Sequence, residues 1–110
     1  MSSFLQRRAP VTPDRVRKIP RSFSWFDRDL LHHRHLGHLS LEEFALYSFL
    51  VLVAGPEGTS FWSPGRIAEL LHLEVDEVIV AVRGLIRRDL IAFRYPTFQV
   101  LSLPARTTER

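Results

Sequence analysis

Two neighbouring segments in the second half of the chain repeat apolar residues at helical spacing. Residues 64–71 and 75–89 each place apolar side chains every three to four positions, as a helix packed on one face requires. Ser63 and Pro64 predict the start of the first helix, because serine is a good cap and proline suits the first turn. Residues 72–74 predict a tight corner. The inner positions are Ile67, Leu70 and Leu71, then Val75, Val78, Ala81, Val82, Leu85 and Ile86.

A more apolar segment precedes this pair. Ser40 and Glu43 have the spacing of a capping box and predict a helix over residues 41–54. That helix is apolar almost all round, which is typical of a helix surrounded by other elements. The Gly-Pro pair at 55–56 predicts its end, and we expect a short strand over residues 59–62.

The segment after the paired helices favours strands. Residues 90–95 and 98–103 are rich in β-branched and aromatic residues, and the Pro-Thr pair at 96–97 separates them. We therefore expect a β-hairpin with a very short tip. The order of the elements predicts a fold that is mainly α with a small β-hairpin.

Basic residues are concentrated at the start of the chain. Residues 1–22 hold six basic groups against one acidic group, a net charge of +5, whereas the other 88 residues carry a net charge of −2. Prolines interrupt this arm and few apolar residues lie in it, so we expect it to be largely disordered. A basic arm is a common attachment to nucleic acid, and a solubilising leader is the alternative.

An aromatic segment links the arm to the body. Three aromatic residues fall within four positions, and we expect residues 23–39 to dock on the body; they are Phe23, Trp25 and Phe26. The spacing of Ser24 and Asp27 predicts a short helix over residues 25–36, with Gly37 at its end. The expected organisation is an arm at 1–22, this segment, a body at 40–104 and a polar tail at 105–110.

Several kinds of chemistry find no support in the sequence. No cysteine is present, which excludes disulfides and thiolate metal sites. His32 and His35 could share a helix face around a metal, but no carboxylate or cysteine is spaced to complete the ligands, so we favour a solvated turn. Phosphate loops, nucleophile elbows and paired catalytic carboxylates are lacking. We expect no enzyme activity, no catalytic residue, no metal and no cofactor.

The chain is also not expected to enter a membrane. Its longest apolar run, residues 44–54, is too short to cross a bilayer, and the first residues lack the apolar core of a signal peptide. We therefore expect a cytoplasmic protein.

The order helix, strand, helix, corner, helix, hairpin resembles a bacterial winged helix-turn-helix domain, over about residues 40–103. In that family a small residue of the first paired helix faces the second, and Ala68 matches it. The segment 85–92 is similar to the family's join between recognition helix and wing. The resemblance implies a three-helix core plus a wing, DNA binding and a place at the nucleoid. Family apolar positions are matched by Ile67, Leu71, Leu73, Val78 and Ala81.

Three positions depart from the family pattern. The corner has His72 where the family usually has glycine, and histidine can adopt the left-handed conformation at some cost. The tip of the hairpin has only Arg94 nearby. The second paired helix begins with several carboxylates, which stabilise the helix dipole but repel phosphate, although one could accept from cytosine N4. They are Glu74, Asp76 and Glu77.

The outward face of the second paired helix provides candidate DNA contacts. With about 100° per residue, Asp76, Val80, Arg83 and Arg87 point away from its apolar side. A pair of arginines one turn apart could hold phosphates or a guanine edge, and a solvated basic face is the alternative. The candidates for contact with double-stranded DNA are Arg83, Arg87, Arg88, Val80, Arg66 and Arg94 in the body and Arg15, Arg17, Lys18 and Arg21 in the arm.

Two hypotheses remain open at this point. In the first, the protein is a small bacterial DNA-binding factor of transcription, replication or a mobile element. In the second, it is a winged-helix adaptor that binds another protein and does not read DNA. The aromatic residues Phe23, Trp25 and Phe26 could hold that partner or a second copy of the chain.

Overall fold

In a computed structural model, residues 9–31 and 35–104 are described, and they form three α-helices and one three-stranded antiparallel sheet. The chain order is helix, strand, two helices, then two strands. The elements are α1 (Leu41–Val53), β1 (Thr59–Phe61), α2 (Pro64–Leu71), α3 (Val75–Arg87), β2 (Ile91–Arg94) and β3 (Thr97–Val100).

The start of α1 has the predicted capping box. The Ser40 hydroxyl accepts from the Glu43 amide at 3.0 Å, and the Glu43 carboxylate accepts from the Ser40 amide at 2.9 Å. One strip of the helix remains uncovered, however. Leu41 and Leu52 are exposed, so the prediction of a helix surrounded on all sides is wrong. The inward face carries Leu46, Tyr47 and Leu50.

The predicted hairpin is part of a larger sheet. β3 lies in the centre, with β2 on one side and β1 on the other, so the strand order is β1-β3-β2. Ser60 of β1 and Phe93 of β2 both stand opposite Phe98 of β3, which is buried. The loop before β1 also contacts β3, because the Val100 amide donates to the Gly58 carbonyl at 2.9 Å. Gly58 has φ +82°, and a Cβ there would lie 2.7 Å from the Val100 carbonyl oxygen.

The helix pair α2 and α3 forms where the sequence predicted it, but the inner faces are rotated. Leu70 of α2 and Val75 and Ile86 of α3, all predicted to face inward, are exposed. In α3 the buried arc instead runs through Gly84, a residue that the apolar pattern did not mark. Ile67, Ala68, Val78, Ala81 and Leu85 are buried as predicted, and Val82 is half-buried.

The predicted helix over residues 25–36 is wrong for the residues that the structure describes. Short 3₁₀ turns, Arg28–Leu30 and Leu36–His38, stand there instead. Asp27 is the cap, accepting from the Asp29 amide at 2.9 Å, whereas Ser24 donates its hydroxyl to the Leu52 carbonyl at 3.3 Å. With the expected cap bonded elsewhere, no α-helix begins at Trp25. Gly37 lies within the second turn and has no positive φ, so it is not a left-handed helix end.

The arm and the termini are described only in part. Residues 9–22 are exposed and contain the 3₁₀ turn Pro13–Arg15. Residues 1–8 and 105–110, the outer part of the predicted arm and the polar tail, lie outside the described residues. His32 of the proposed histidine pair lies outside them as well.

A buried carboxylate fixes the contact between α1 and α3. Glu43 is buried, and one oxygen accepts from the Ser40 amide and from Arg88 Nε, the latter at 3.2 Å. Its other oxygen occupies the space that a Cβ on Gly84 would need. The absence of a side chain at Gly84 therefore lets the carboxylate reach its partners.

We predict that Gly84→Ala destabilises the fold by about 2 kcal/mol, because overpacking a filled site costs on the order of 1–3 kcal/mol. Chemical denaturation measures the effect. Gly65→Ala is the matched control, since Gly65 lies in α2 with no neighbour within 4 Å of an added Cβ. In the Glu43→Ala background the cost of Gly84→Ala should shrink. An equal cost in both backgrounds would contradict the proposed contact.

Candidate functional site

The corner between α2 and α3 depends on a left-handed histidine. His72 has φ 59° and ψ 43°, the conformation that glycine adopts most readily. The backbone amides of His72 and Leu73 both donate to the Ala68 carbonyl, which closes the end of α2. The next helix begins only three residues later, at Val75. The predicted corner is confirmed, and α2 and α3 are separate helices.

The first turn of α3 is acidic and has a structural role. The Glu77 carboxylate accepts from the Glu74 amide at 2.9 Å and so caps the helix start. Asp76 lies in the same turn and is exposed. Negative charge at a helix N-terminus stabilises the helix dipole. The three carboxylates are therefore explained in part by helix formation.

The outward face of α3 is the one that the sequence predicted. Asp76, Val80, Arg83 and Arg87 are all exposed, while the opposite face packs in the core. Among the residues that the structure describes, no carboxylate forms an ion pair with Arg83 or Arg87. The second half of α3 thus presents two guanidinium groups, one helical turn apart, without an internal counter-charge.

Arg88 differs from these two arginines. Its Nε lies 3.2 Å from Glu43, and its side chain is 37% exposed against 9% for Glu43. Removing the guanidinium would leave the buried Glu43 carboxylate without its counter-charge, so Arg88 supports the contact between α1 and α3. The structure places Arg88 at this internal ion pair and not on the outward face of α3.

The other candidate residues are spread over separate elements. Arg66 of α2 is exposed and lies 3.9 Å from Glu69, a weak surface ion pair. Arg94 ends β2 and is exposed beside the exposed Tyr95 at the hairpin tip. The arm residues are all exposed; they are Arg15, Arg17, Lys18 and Arg21.

A small groove borders the acidic half of α3. It has a volume of about 240 Å³ and lies between the start of α1 and the first half of α3. Its lining includes the carboxylates of Glu42, Asp76 and Glu77 and the exposed side chain of Val80. The exposed surface of α3 therefore changes from acidic to basic along the helix.

The aromatic segment contacts the body through the Phe26 ring and through Leu30. Phe26 stacks on Tyr47 with the ring centroids 6.1 Å apart and lies 6.3 Å from Phe44. Phe23 and Trp25, by contrast, are 60% and 73% exposed. Leu30, which the sequence analysis did not single out, is buried in the core. In the sequence, the burial of Leu30 was indicated only by an aliphatic side chain in an otherwise polar stretch.

Tyr47 lies on the face of α1 that the aromatic segment contacts. Burial of the phenol raises the pKa of Tyr47 above its ordinary value, and the nearby negative charge of Asp27 raises it further. The Asp27 carboxylate therefore acts on the face of α1 where the aromatic segment docks.

Within the described ranges, no group of three or more histidine, cysteine or acidic residues is arranged to hold a metal ion. None of the helices described is both long enough and apolar enough to span a bilayer.

Comparisons with known proteins give no relative for this chain. No family model matches it, and neither the curated proteins nor the solved structures include a significant match.

The raised pKa of Tyr47 predicts a loss of stability in alkali. The folded state holds this proton more tightly than the unfolded chain, so the stabilisation is complete below pH 10 and is lost as pH rises from about 10 through the folded pKa. Denaturation between pH 9 and pH 11 should show a slope that Tyr47→Phe reduces. The matched control is Tyr95→Phe, which removes an exposed hydroxyl. Equal slopes in the wild type and Tyr47→Phe would contradict this account.

Proposed function

We propose that the protein binds double-stranded DNA as a winged helix-turn-helix module, with α3 as the recognition helix and the β2–β3 hairpin as the wing. The order of the elements, the left-handed corner at His72 and the three-stranded sheet support this assignment. Helix, corner, helix is a unit that can place its second helix in the major groove.

The observation that carries the proposal is the pair of exposed arginines on α3. Arg83 and Arg87 stand one turn apart on the face opposite the core, and no described carboxylate neutralises them. Guanidinium groups make bidentate hydrogen bonds to guanine O6 and N7 and also bind phosphate oxygens. Val80, one turn before, is exposed and could contact a thymine methyl group.

The acidic start of α3 determines which part of the helix meets DNA. Glu74, Asp76 and Glu77 would repel phosphates, so we infer that contact is made through the middle and the second half of the helix. Asp76 is the carboxylate on the outward face and could accept a hydrogen bond from cytosine N4. This differs from the common arrangement, in which residues at the helix N-terminus read the bases.

The arm adds a second basic element. Four exposed basic residues lie between positions 15 and 21, ahead of the segment that Phe26 fixes to α1. Arms of this type contact phosphates or enter the minor groove. We infer that the arm supplies most of the non-specific affinity, with Arg66 and Arg94 as further backbone contacts. The role that the resemblance favours is a bacterial transcription, replication or mobile-element factor.

A second candidate function rests on the acidic groove. Glu42, Asp76, Glu77 and Val80 form a surface of negative charge and one apolar side chain, which suits a basic segment of another protein better than a phosphate backbone. In this alternative the module is an adaptor, and α3 does not contact DNA. Loss of DNA binding on changing the α3 arginines would count against it.

We expect Arg83→Ala and Arg87→Ala each to weaken binding to a duplex by about tenfold, because a hydrogen bond from a guanidinium to a charged phosphate oxygen contributes roughly 1.5–3 kcal/mol. Fluorescence anisotropy with a random-sequence duplex measures this. Arg28→Ala is the matched control, since Arg28 is exposed, carries the same charge and belongs to the 3₁₀ turn Arg28–Leu30, not to the helix pair or the hairpin. If the Arg83→Ala/Arg87→Ala protein is folded and binds like the wild type, α3 is not the DNA-binding element.

The contribution of the arm predicts a change in salt dependence. Replacing Arg15, Arg17, Lys18 and Arg21 by glutamine should flatten the slope of log affinity against log salt by about three to four, since each phosphate contact contributes about 0.9. Replacing the three arginines by lysine is the matched control, because it keeps the charge and should keep the slope. An unchanged slope in the glutamine variant would remove the arm from the proposed interface.

A further inference from the structure

A larger groove lies towards the other end of α1 from the acidic groove. It has a volume of about 650 Å³ and runs between residues 23–27, the last two turns of α1 with the following loop, and residues 100–103. Small-molecule sites commonly have volumes of about 300–1,000 Å³. Neither the arginine face of α3 nor the basic part of the arm lines this groove. We call it the aromatic groove.

The lining of the aromatic groove combines aromatic rings with negative charge. Phe23, Trp25 and Tyr47 supply the rings, and Asp27 and Glu57 supply the carboxylates. Of the described residues that line it, none is lysine, arginine or histidine. The faces of aromatic rings are electron-rich and attract cations, most strongly for tryptophan. The rings and the carboxylates of this groove therefore both favour a positively charged ligand.

The part of the groove formed by residues 23–27 is held to the body by several contacts. The Ser24 hydroxyl donates a hydrogen bond to the Leu52 carbonyl, and the Phe26 ring stacks on Tyr47. The Asp27 carboxylate caps the 3₁₀ turn that follows it. These contacts hold the segment between the arm and α1, yet they leave the large rings of Phe23 and Trp25 mostly exposed. Aromatic side chains that are anchored by their neighbours but stay uncovered are typical of binding surfaces. Asp27 and Tyr47 both line the groove, so the carboxylate lies at the same surface as the ring.

We propose that the aromatic groove binds a small organic cation with an apolar body. The positive charge is held by Asp27 and Glu57 and by the ring faces of Phe23 and Trp25, and the apolar body packs on the aliphatic side chains of Val51 and Leu103. This assignment does not depend on DNA binding by α3.

The charge of the lining selects this ligand over the other classes. An anion would meet two carboxylates and no basic residue among the described lining, and a neutral ligand would gain from the carboxylates only as a hydrogen-bond donor. The basic arm of a second copy is the remaining occupant with suitable charge, since Arg15, Arg17, Lys18 and Arg21 are exposed. The arm of a second copy is a different partner, and a competition experiment separates it from a small ligand.

Tetraphenylphosphonium and tetraphenylborate test the proposal, because they share one shape and carry opposite charges. Isothermal titration calorimetry with the full chain should show binding of the phosphonium and none, or much weaker binding, of the borate. Asp27→Asn/Glu57→Gln should weaken phosphonium binding by about fivefold, the effect of about 1 kcal/mol for a partly exposed charge. Asparagine retains the cap at position 27, because its side chain is an equally good acceptor.

Glu69→Gln is the matched control, since Glu69 is an exposed carboxylate of α2 outside the groove. Should the double variant fail to fold, Glu57→Gln alone carries the test, because Glu57 lies exposed in a turn. Three results would overturn the proposal: no phosphonium binding at millimolar concentration, equal binding of the borate, or no difference between the groove variants and Glu69→Gln. Displacement of the phosphonium by a peptide of residues 9–22 would also overturn it and assign the groove to the arm of a second copy.

Discussion

The arrangement of the helices depends on one buried carboxylate. Glu43 begins as a local capping residue of α1, and its side chain also accepts from Arg88 just after α3. A charge taken out of water requires partners that satisfy it. Here a backbone amide and a guanidinium do so, and Gly84 leaves the space that the carboxylate fills. The end of α3 is therefore tied to the start of α1, and this contact determines which face of α3 remains in solvent.

The division of charge along α3 follows from that orientation. The carboxylates at its start serve the helix, through the dipole and the bond from the Glu74 amide to Glu77. The arginines of its second half, Arg83 and Arg87, serve no internal partner among the described residues. Arg88, one position further, forms an ion pair with Glu43. Neighbouring arginines in the sequence thus have different roles, and only their burial and partners distinguish them.

Local signals predicted most of the helices and strands, and they could not predict how these elements meet. The capping box at Ser40, the Ser-Pro start of α2 and the apolar spacing of α3 each act within a few residues, so each was visible in the sequence. The rotation of α3 depends on Gly84 and Glu43, which are 41 positions apart. The pairing of β1 with β3 is non-local in the same way.

In the candidate site, too, features set by local sequence were predictable, and features that join distant segments were not. The exposed face of α3 was predictable, because helical periodicity alone places Arg83 and Arg87 outward. The ion pair of Arg88 and the aromatic groove were not, because both assemble residues from distant segments. The predicted helix over residues 25–36 failed for a local reason: the Ser24 hydroxyl bonds to α1 and Asp27 caps a 3₁₀ turn instead.

The central position of β3 has a consequence for how the molecule opens. β3 pairs with β1 on one edge and with β2 on the other, and the Leu101 amide donates to the Leu90 carbonyl just beyond it. The hairpin cannot detach without breaking the β1–β3 ladder and the bond to Gly58, so opening the hairpin also disrupts the sheet at β1. The strands of the hairpin have only four residues each, but β3 is also paired with β1. This second pairing holds Arg94 and Tyr95 in a fixed position relative to the body.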